Sequence, residues 1–257
     1  MEDQQHLDSI IDQFSRQAIP FTRLPGHLDA METLIEMSGV CAEDSVLDVA
    51  CGPGLLACAF AGHAARVTGI DITEAMIEQA RLRQQEQGLN NLDWHVGNAV
   101  PLPFDDDAFS LVVTRYSFHH FQEPALAFAE MIRVCRPGGR VLVADVAVVP
   151  ERSAAYDGIE RLRDPSHTHA LTEPEFAALF AESGLSACRC SGYPVDMELE
   201  SLIGSSFPNP GDAAVIRQMV IDDIGVNALG VNARMENGKL MYTFPIAVYV
   251  GWKETSP

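Results

Sequence analysis

Between Ser45 and Val149 the sequence changes period repeatedly, with short apolar runs suited to strands alternating with helical stretches. A chain with that rhythm has few options, because parallel neighbours need long crossovers and a helix is the usual crossover. The apolar runs are Ser45–Ala50, Arg66–Ile70, Leu92–Val96, Phe109–Thr114 and Arg140–Val149, the last entered through a turn at Pro137-Gly138-Gly139. The helical stretches are Leu55–Ala65, Thr73–Gln87 closed by Gly88, and Pro124–Cys135 with proline in its first turn. The pattern predicts an α/β fold, a mostly parallel sheet with helices on both faces.

The flanks read differently. Leu7, Ile10, Ile11 and Phe14 recur near the helical period, and a second helical stretch after Pro25-Gly26 carries Leu28, Met31, Leu34 and Ile35 on its apolar side. Beyond Pro150 the alternation loosens. There the sequence predicts a helix over Glu173–Ser183 between Thr172 and Gly184, a strand near Ser186–Tyr193, and helices over Met197–Ile203 and Ala213–Ile224. Asn237-Gly238 is a turn signal before Leu240–Trp252, a long strand whose Pro245 predicts a bulge or an edge. With no repeat or low-complexity linker, residues 1–257 read as one domain: a helical cap over 1–40, a core over 41–150, and additions with the remaining strands over 151–257.

Composition narrows the function. The chain has 36 acidic residues against 17 basic, a formal charge of −19, and its only lysines are Lys239 and Lys253. Nucleic-acid affinity comes largely from clustered Lys and Arg, so a nucleic-acid partner is not expected. No apolar run is long enough to span a membrane, and the acidic start, Met1-Glu2-Asp3, is unlike a signal peptide. The six cysteines show no CxxC pair; Cys188 and Cys190 fall on one face of a strand. Buried, reduced thiols and a cytoplasmic location are the expectation. Nothing in the pattern specifies an oligomeric state.

The segment Val46–Ala57 is a strand, a glycine turn and a helix start. Such a turn lets backbone approach a ligand and aims helix N–H groups at it. Its Gly52-x-Gly54-x-x-Ala57 spacing also fits the dinucleotide fingerprint, and Asp71 lies 19 positions beyond Gly52, close to the roughly 20 of a ribose-binding acid. An NAD-dependent oxidoreductase would share both features. Asp48 weighs against it: a carboxylate before the loop repels a pyrophosphate but suits an ammonium group. Asp71 closes the second strand, where it can take ribose hydroxyls or cap the next helix. The turn Gly97–Phe104 can hold an adenine, with an amide on its edge.

With those segments, Phe109–Phe121 and Arg133–Asp145 complete a resemblance to class I S-adenosylmethionine-dependent methyltransferases, in particular the UbiE-like small-molecule group. The resemblance implies a Rossmann-like seven-stranded sheet in the order 3-2-1-4-5-7-6 with the last strand antiparallel, Leu240–Trp252 being that strand. It implies S-adenosylmethionine as cofactor, with Asp48, Ala50, Cys51, Gly52 and Gly54 around the methionine part and Asp71 at the ribose. Ile72 and Met76 would line the adenine, Asn98 and Ala99 meet its edge, and Arg115 lie beside the methionine part. Two positions depart from the family pattern: Ala50 stands for the first glycine, and Asn98 for the more usual Asp.

In open α/β sheets ligands lie at the carboxyl ends of the strands. The sequence there offers His119 and His120, either of which reads as a general base or as an ordinary helix-start residue. The segment Glu151–Ala170 suits a lid or acceptor pocket. Arg161 and Arg163 could clamp an anion or face solvent, and the His167-x-His169 pair lacks a convergent third ligand, so no metal is expected. Phe14, Phe21, Tyr116, Arg163 and His167 are the candidate contacts to a small, aromatic or heterocyclic methyl acceptor. A cofactor-binding protein that does not methylate would carry the same core.

Overall fold

The computed structural model describes residues 2–21 and 30–255. Five strands run parallel where the apolar runs predict them: β1 (Ser45–Val49), β2 (Arg66–Asp71), β3 (Leu92–Val96), β4 (Phe109–Arg115) and β5 (Cys135–Val146). β6 (Ser186–Glu198) and the final β8 (Lys239–Trp252) complete the order 3-2-1-4-5-8-6, with β8 antiparallel to both neighbours. This is the expected seven-strand order with one addition. The short β7 (Arg234–Glu236) pairs with the start of β8 across the Asn237-Gly238 turn.

Alternate residues along the central strands feed two cores. Val46, Leu111, Val113, Leu142 and Ala144 join one cluster, and Leu47, Val49, Val112, Val141 and Val143 the other. Helices cover both faces, so burying both sides rewards near-continuous apolar strands. On the first face pack α2 (Met31–Ser38) and α3 (Leu55–Ala61), with α6 (Ser153–Arg163), α8 (Leu199–Ser206) and α9 (Asp212–Asp222) further along. On the second pack α5 (Pro124–Val134) and α7 (Glu173–Glu182). α4 (Glu74–Gln87) returns from β2 to β3 and ends at Gly88, which takes the left-handed conformation at φ 64°. The predicted cap is α1 (Glu2–Phe21), which packs on α4 and α8.

Several boundaries moved, each for a local reason. Pro137-Gly138-Gly139 is no separate turn; it is an irregularity within β5, where the register against β4 jumps from Phe109↔Cys135 to Leu111↔Arg140. β6 continues through Met197, so the helix predicted from that residue begins at Leu199. Pro245 makes neither a bulge nor an edge. It pairs with Pro194 across β6 and β8, and its carbonyl accepts from Ala147 N just past the end of β5, so its missing N–H falls where no strand needs it. Thr172 caps α7 in a full capping box with Glu175. Leu28 lies outside the described residues. The thiol expectation is corrected: Cys51, Cys58 and Cys135 are buried, whereas Cys41, Cys188 and Cys190 are exposed. The last two sit on β6, whose outer edge no strand covers. No described helix is long and apolar enough to cross a membrane.

Candidate functional site

The carboxyl ends of β1, β2 and β4 open into a cleft of about 960 Å³, its mouth included. Ten of the eleven residues predicted to hold the cofactor line it: Asp48, Ala50, Cys51, Gly52, Asp71, Ile72, Met76, Asn98, Ala99 and Arg115. The sequence folds that way because the chain must turn sharply at each strand end. Ala50 takes φ 54° and Tyr116 φ 60°, left-handed values that cost a non-glycine residue about 1 kcal/mol and occur mostly where a site demands them. The family glycine that Ala50 replaces would have met that demand without strain.

Gly54, the eleventh, lies outside the lining. A Cβ there would fall 2.7 Å from the Trp94 ring and 2.9 Å from the Ala80 methyl, so this glycine lets α3 pack against β3 and α4. Gly52 is the ligand-side glycine: a Cβ there would meet nothing, at φ 51°. Its N–H donates to Asp71 Oδ2 at 2.8 Å, and Thr73 N donates to Asp71 Oδ1 at 2.8 Å. Asp71 therefore braces Thr73, the residue that opens α4, and stands fixed in the cleft wall.

Asp48 is 1% exposed, and its Oδ2 has no hydrogen-bond partner among the described residues. Burial pushes its carboxyl up to about 7 against the opposing pull of the Arg115 charge. A buried carboxylate oxygen without a donor is costly, unless a cation completes it. Arg115 lies across the cleft, its guanidinium 4.7 Å from the Tyr116 ring centroid and in contact with Met31 Sδ at 3.9 Å. The cleft so offers the Asp48 carboxylate and the Arg115 guanidinium in one lining, the match for a zwitterionic amino-acid end.

Leu7, Ile10 and Phe14 of α1 close over the cleft. The helix is pinned at both ends: His6 Nε2 donates to His120 O at 2.8 Å, and Gln17 Nε2 donates to Asp164 Oδ2 at 3.0 Å. On the adenine side the Gly97–Phe104 turn is held from outside. Glu130 accepts from Leu102 N at 2.7 Å, while Arg133 donates to Leu102 O at 3.0 Å and Phe104 O at 2.8 Å.

A second cavity of about 670 Å³ adjoins the first and shares Phe14, Tyr116 and His120 with it. Its walls come from distant segments: Val146, Glu160, Arg163, Val195, Met197, Leu202, Phe244 and Ile246 among them. Its charges are matched internally. Arg163 holds Glu160 through Nε and Nη2 at 2.6–3.1 Å and donates Nη1 to Ser206 Oγ at 2.8 Å, and Tyr242 donates to Glu160 at 2.6 Å. Asp164 accepts from Gln17, Ser166 N and Ser166 Oγ.

The candidate acceptor contacts divide. Phe14 and Tyr116 line both cavities, and Arg163 lines the second, but its guanidinium is committed to Glu160. Arg161 is no clamp: it is on the surface, bonded to Thr168 O. His167 reaches neither cavity lining. It sits behind His119, ring centroids 5.6 Å apart, and with His169 it grips Asp157. The Phe21 side chain lies outside the described residues. His119 borders the second cavity and His120 both. Burial tends to lower His119, but the Asp145 carboxylate beside it wins and holds it above the ordinary histidine range. Burial and the His119 charge hold His120 well below that range. The sequence reading missed Asp145, Glu160 and Gln17; Asp145 lies next to the end of a strand at the ligand side of the sheet, which is a usable signal.

Residues 47–143, the stretch that supplies this cleft's floor, match the methyltransferase domain family. Over those residues the chain resembles a methyltransferase domain. The chain is 35% identical over 164 residues to the uncharacterized methyltransferase YcgJ of Bacillus subtilis, covering 63% of this chain and 65% of that one. It is 36% identical over 123 residues to the ubiquinone/menaquinone biosynthesis C-methyltransferase UbiE of a Ruegeria species, 46% of this chain and 47% of that one. The match thus spans about two thirds of the first relative and about half of the second. The crystal structure of YcgJ superposes with a TM-score of 0.81 at 26% identity, over 90% of this chain and all of the other. The family match is to a methyltransferase domain and lends no support to the dinucleotide alternative.

Proposed function

We propose that this protein moves a methyl group from S-adenosylmethionine, held in the first cavity, to a small uncharged acceptor, aromatic or heterocyclic, held in the second. The observation that carries this reading is the unpartnered Asp48 Oδ2 at the cleft floor. An ammonium group satisfies it, with the amino-acid carboxylate toward Arg115. Asp71 takes the ribose hydroxyls, Ile72 and Met76 flank the adenine, and Asn98 and Ala99 meet its edge. Bound there, the cofactor supplies an electrophilic methyl group.

The chain's own contribution is placement. α1 and the Tyr116–Phe121 segment exclude water, and the shared wall brings the acceptor to the mouth of the cofactor site; holding reactants in line accounts for most of such a rate enhancement. The second cavity favours a neutral acceptor, because its one guanidinium is spent on Glu160 and its remaining carboxylate repels anions. Calorimetry with S-adenosylhomocysteine tests the reading. Micromolar or tighter binding to the wild type is expected, and its absence at millimolar ligand would overturn it.

A further inference from the structure

His119 and Asp145 form a buried pair that placement alone does not require. His119 Nδ1 lies 2.6 Å from Asp145 Oδ1. The carboxylate is itself anchored, accepting from Phe118 N at 2.6 Å on Oδ2 and from Val146 N at 2.6 Å on Oδ1. A carboxylate only accepts, so the proton in the contact sits on Nδ1, and a neutral His119 keeps its lone pair on Nε2. The ring borders the second cavity.

The other groups around His119 are already matched. Glu160 is taken by Arg163 and Tyr242, His167 by Asp157, and Asp164 by Gln17 and Ser166. Among the described residues Asp145 has no ion-pair partner but His119. His120 is built otherwise: its Nδ1 faces Ser166 O and Ser166 Oγ at 3.1 Å, and among the described residues no carboxylate is hydrogen-bonded to its ring, Asp164 acting on it only through its charge.

We infer that His119 is the proton acceptor of the reaction and Asp145 its positioning residue, so that the acceptor is methylated at a group bearing a removable proton. This rests on the proposed function above. The chemistry balances as follows: the acceptor's electron pair bonds to the methyl carbon, the sulfur–methyl bond breaks with its pair going to sulfur, and the acceptor's proton moves to His119 Nε2. One positive charge disappears at sulfur and one appears on the imidazole, beside Asp145. Hydroxyl, ring N–H and acidic C–H acceptors qualify; an acceptor without such a proton does not.

The test has two arms. Histidine-labelled NMR of the ligand-free protein should show His119 as the Nδ1–H tautomer, holding a second proton to higher pH than an ordinary histidine. Asp145→Asn should lower that midpoint by at least one pH unit and leave His169 in place. In the second arm, phenols and N–H heterocycles are compared with their fully substituted analogues by S-adenosylhomocysteine formation. His119→Asn, which keeps a Phe118–His120 turn even if Asp145→Asn does not fold, should lower kcat by about a hundredfold or more with KM for S-adenosylmethionine within threefold. Wild-type turnover by His119→Asn, equal turnover of the fully substituted analogues, or a His119 midpoint unmoved in Asp145→Asn overturns the inference. Lost S-adenosylhomocysteine binding in the wild type instead defeats the proposed function.

Discussion

The two cavities lie wall to wall and solve the problem of buried charge in opposite ways. In the cofactor cleft Asp48 Oδ2 is left without a partner, and burial lifts its carboxyl to about 7. In the second cavity the Glu160–Arg163 pair is completed by Tyr242 and Ser206. The first site withholds a hydrogen bond that a ligand must supply; the second has spent its one guanidinium before anything enters.

Breaking the finished side should cost the most. Arg163→Met strands Glu160 in the interior, and removing one partner of a buried pair costs about 3–5 kcal/mol. Urea unfolding should show that loss while S-adenosylhomocysteine affinity stays within threefold; a loss below about 1 kcal/mol would mean the pair is not the keystone of its cavity.

The unfinished side should respond in the opposite sense. Asp48→Asn should weaken S-adenosylhomocysteine binding by about a hundredfold, in line with the cost of truncating a buried charge contact. The same change should stabilise the ligand-free protein above pH 7. Asp48's folded pKa is raised, so ionising it opposes folding; the rise from 3.8 to about 7 corresponds to roughly 4 kcal/mol at most. A variant that loses both affinity and stability would make Asp48 a structural residue.

The pH dependence of the wild type sharpens the contrast. Below about 7 Asp48 holds a proton and cannot pair with an ammonium group, so affinity for S-adenosylhomocysteine should fall as pH drops, by up to about tenfold per unit. A flat calorimetric profile from pH 8 to 5.5 would remove Asp48 from the ammonium seat. Smallest of all, Arg133→Met frees the Gly97–Phe104 turn from outside; affinity should fall about threefold, the scale of one or two lost hydrogen bonds, with no change in its pH slope.

The same contrast governs how much the sequence discloses. The cleft is built from strand ends and the turns that follow them, so its residues stand in short segments with a fixed spacing, and Asp48, Asp71, Asn98 and Arg115 can be read directly. Gly54 is the instructive exception: spacing marks it as a ligand-loop glycine, but the large Trp94 ring pressed against it comes from another strand. The second cavity draws Val146, Glu160, Met197, Leu202 and Phe244 from five elements. No spacing relates them. His167 and Arg163 look alike on paper as polar residues after the fifth strand, but Arg163 closes α6 and faces the cavity, whereas His167 lies beyond that helix and turns back toward Asp157. In the fold, the parallel strands were legible from their apolar runs, whereas the length of β6 was not, because an edge strand needs no continuous apolar face.

Phe14, Tyr116 and His120 belong to both chambers, and α1 carries one of them while its own ends hang on His120 and Asp164. A partition of that kind cannot shift for one tenant alone. Whatever rearrangement one occupant imposes on it changes the room left for the other, and the resulting effect on affinity has to be equal in both directions. The thinness of the partition is thus also a thermodynamic gauge: comparing the affinity for one occupant with and without the other measures how far the wall moves.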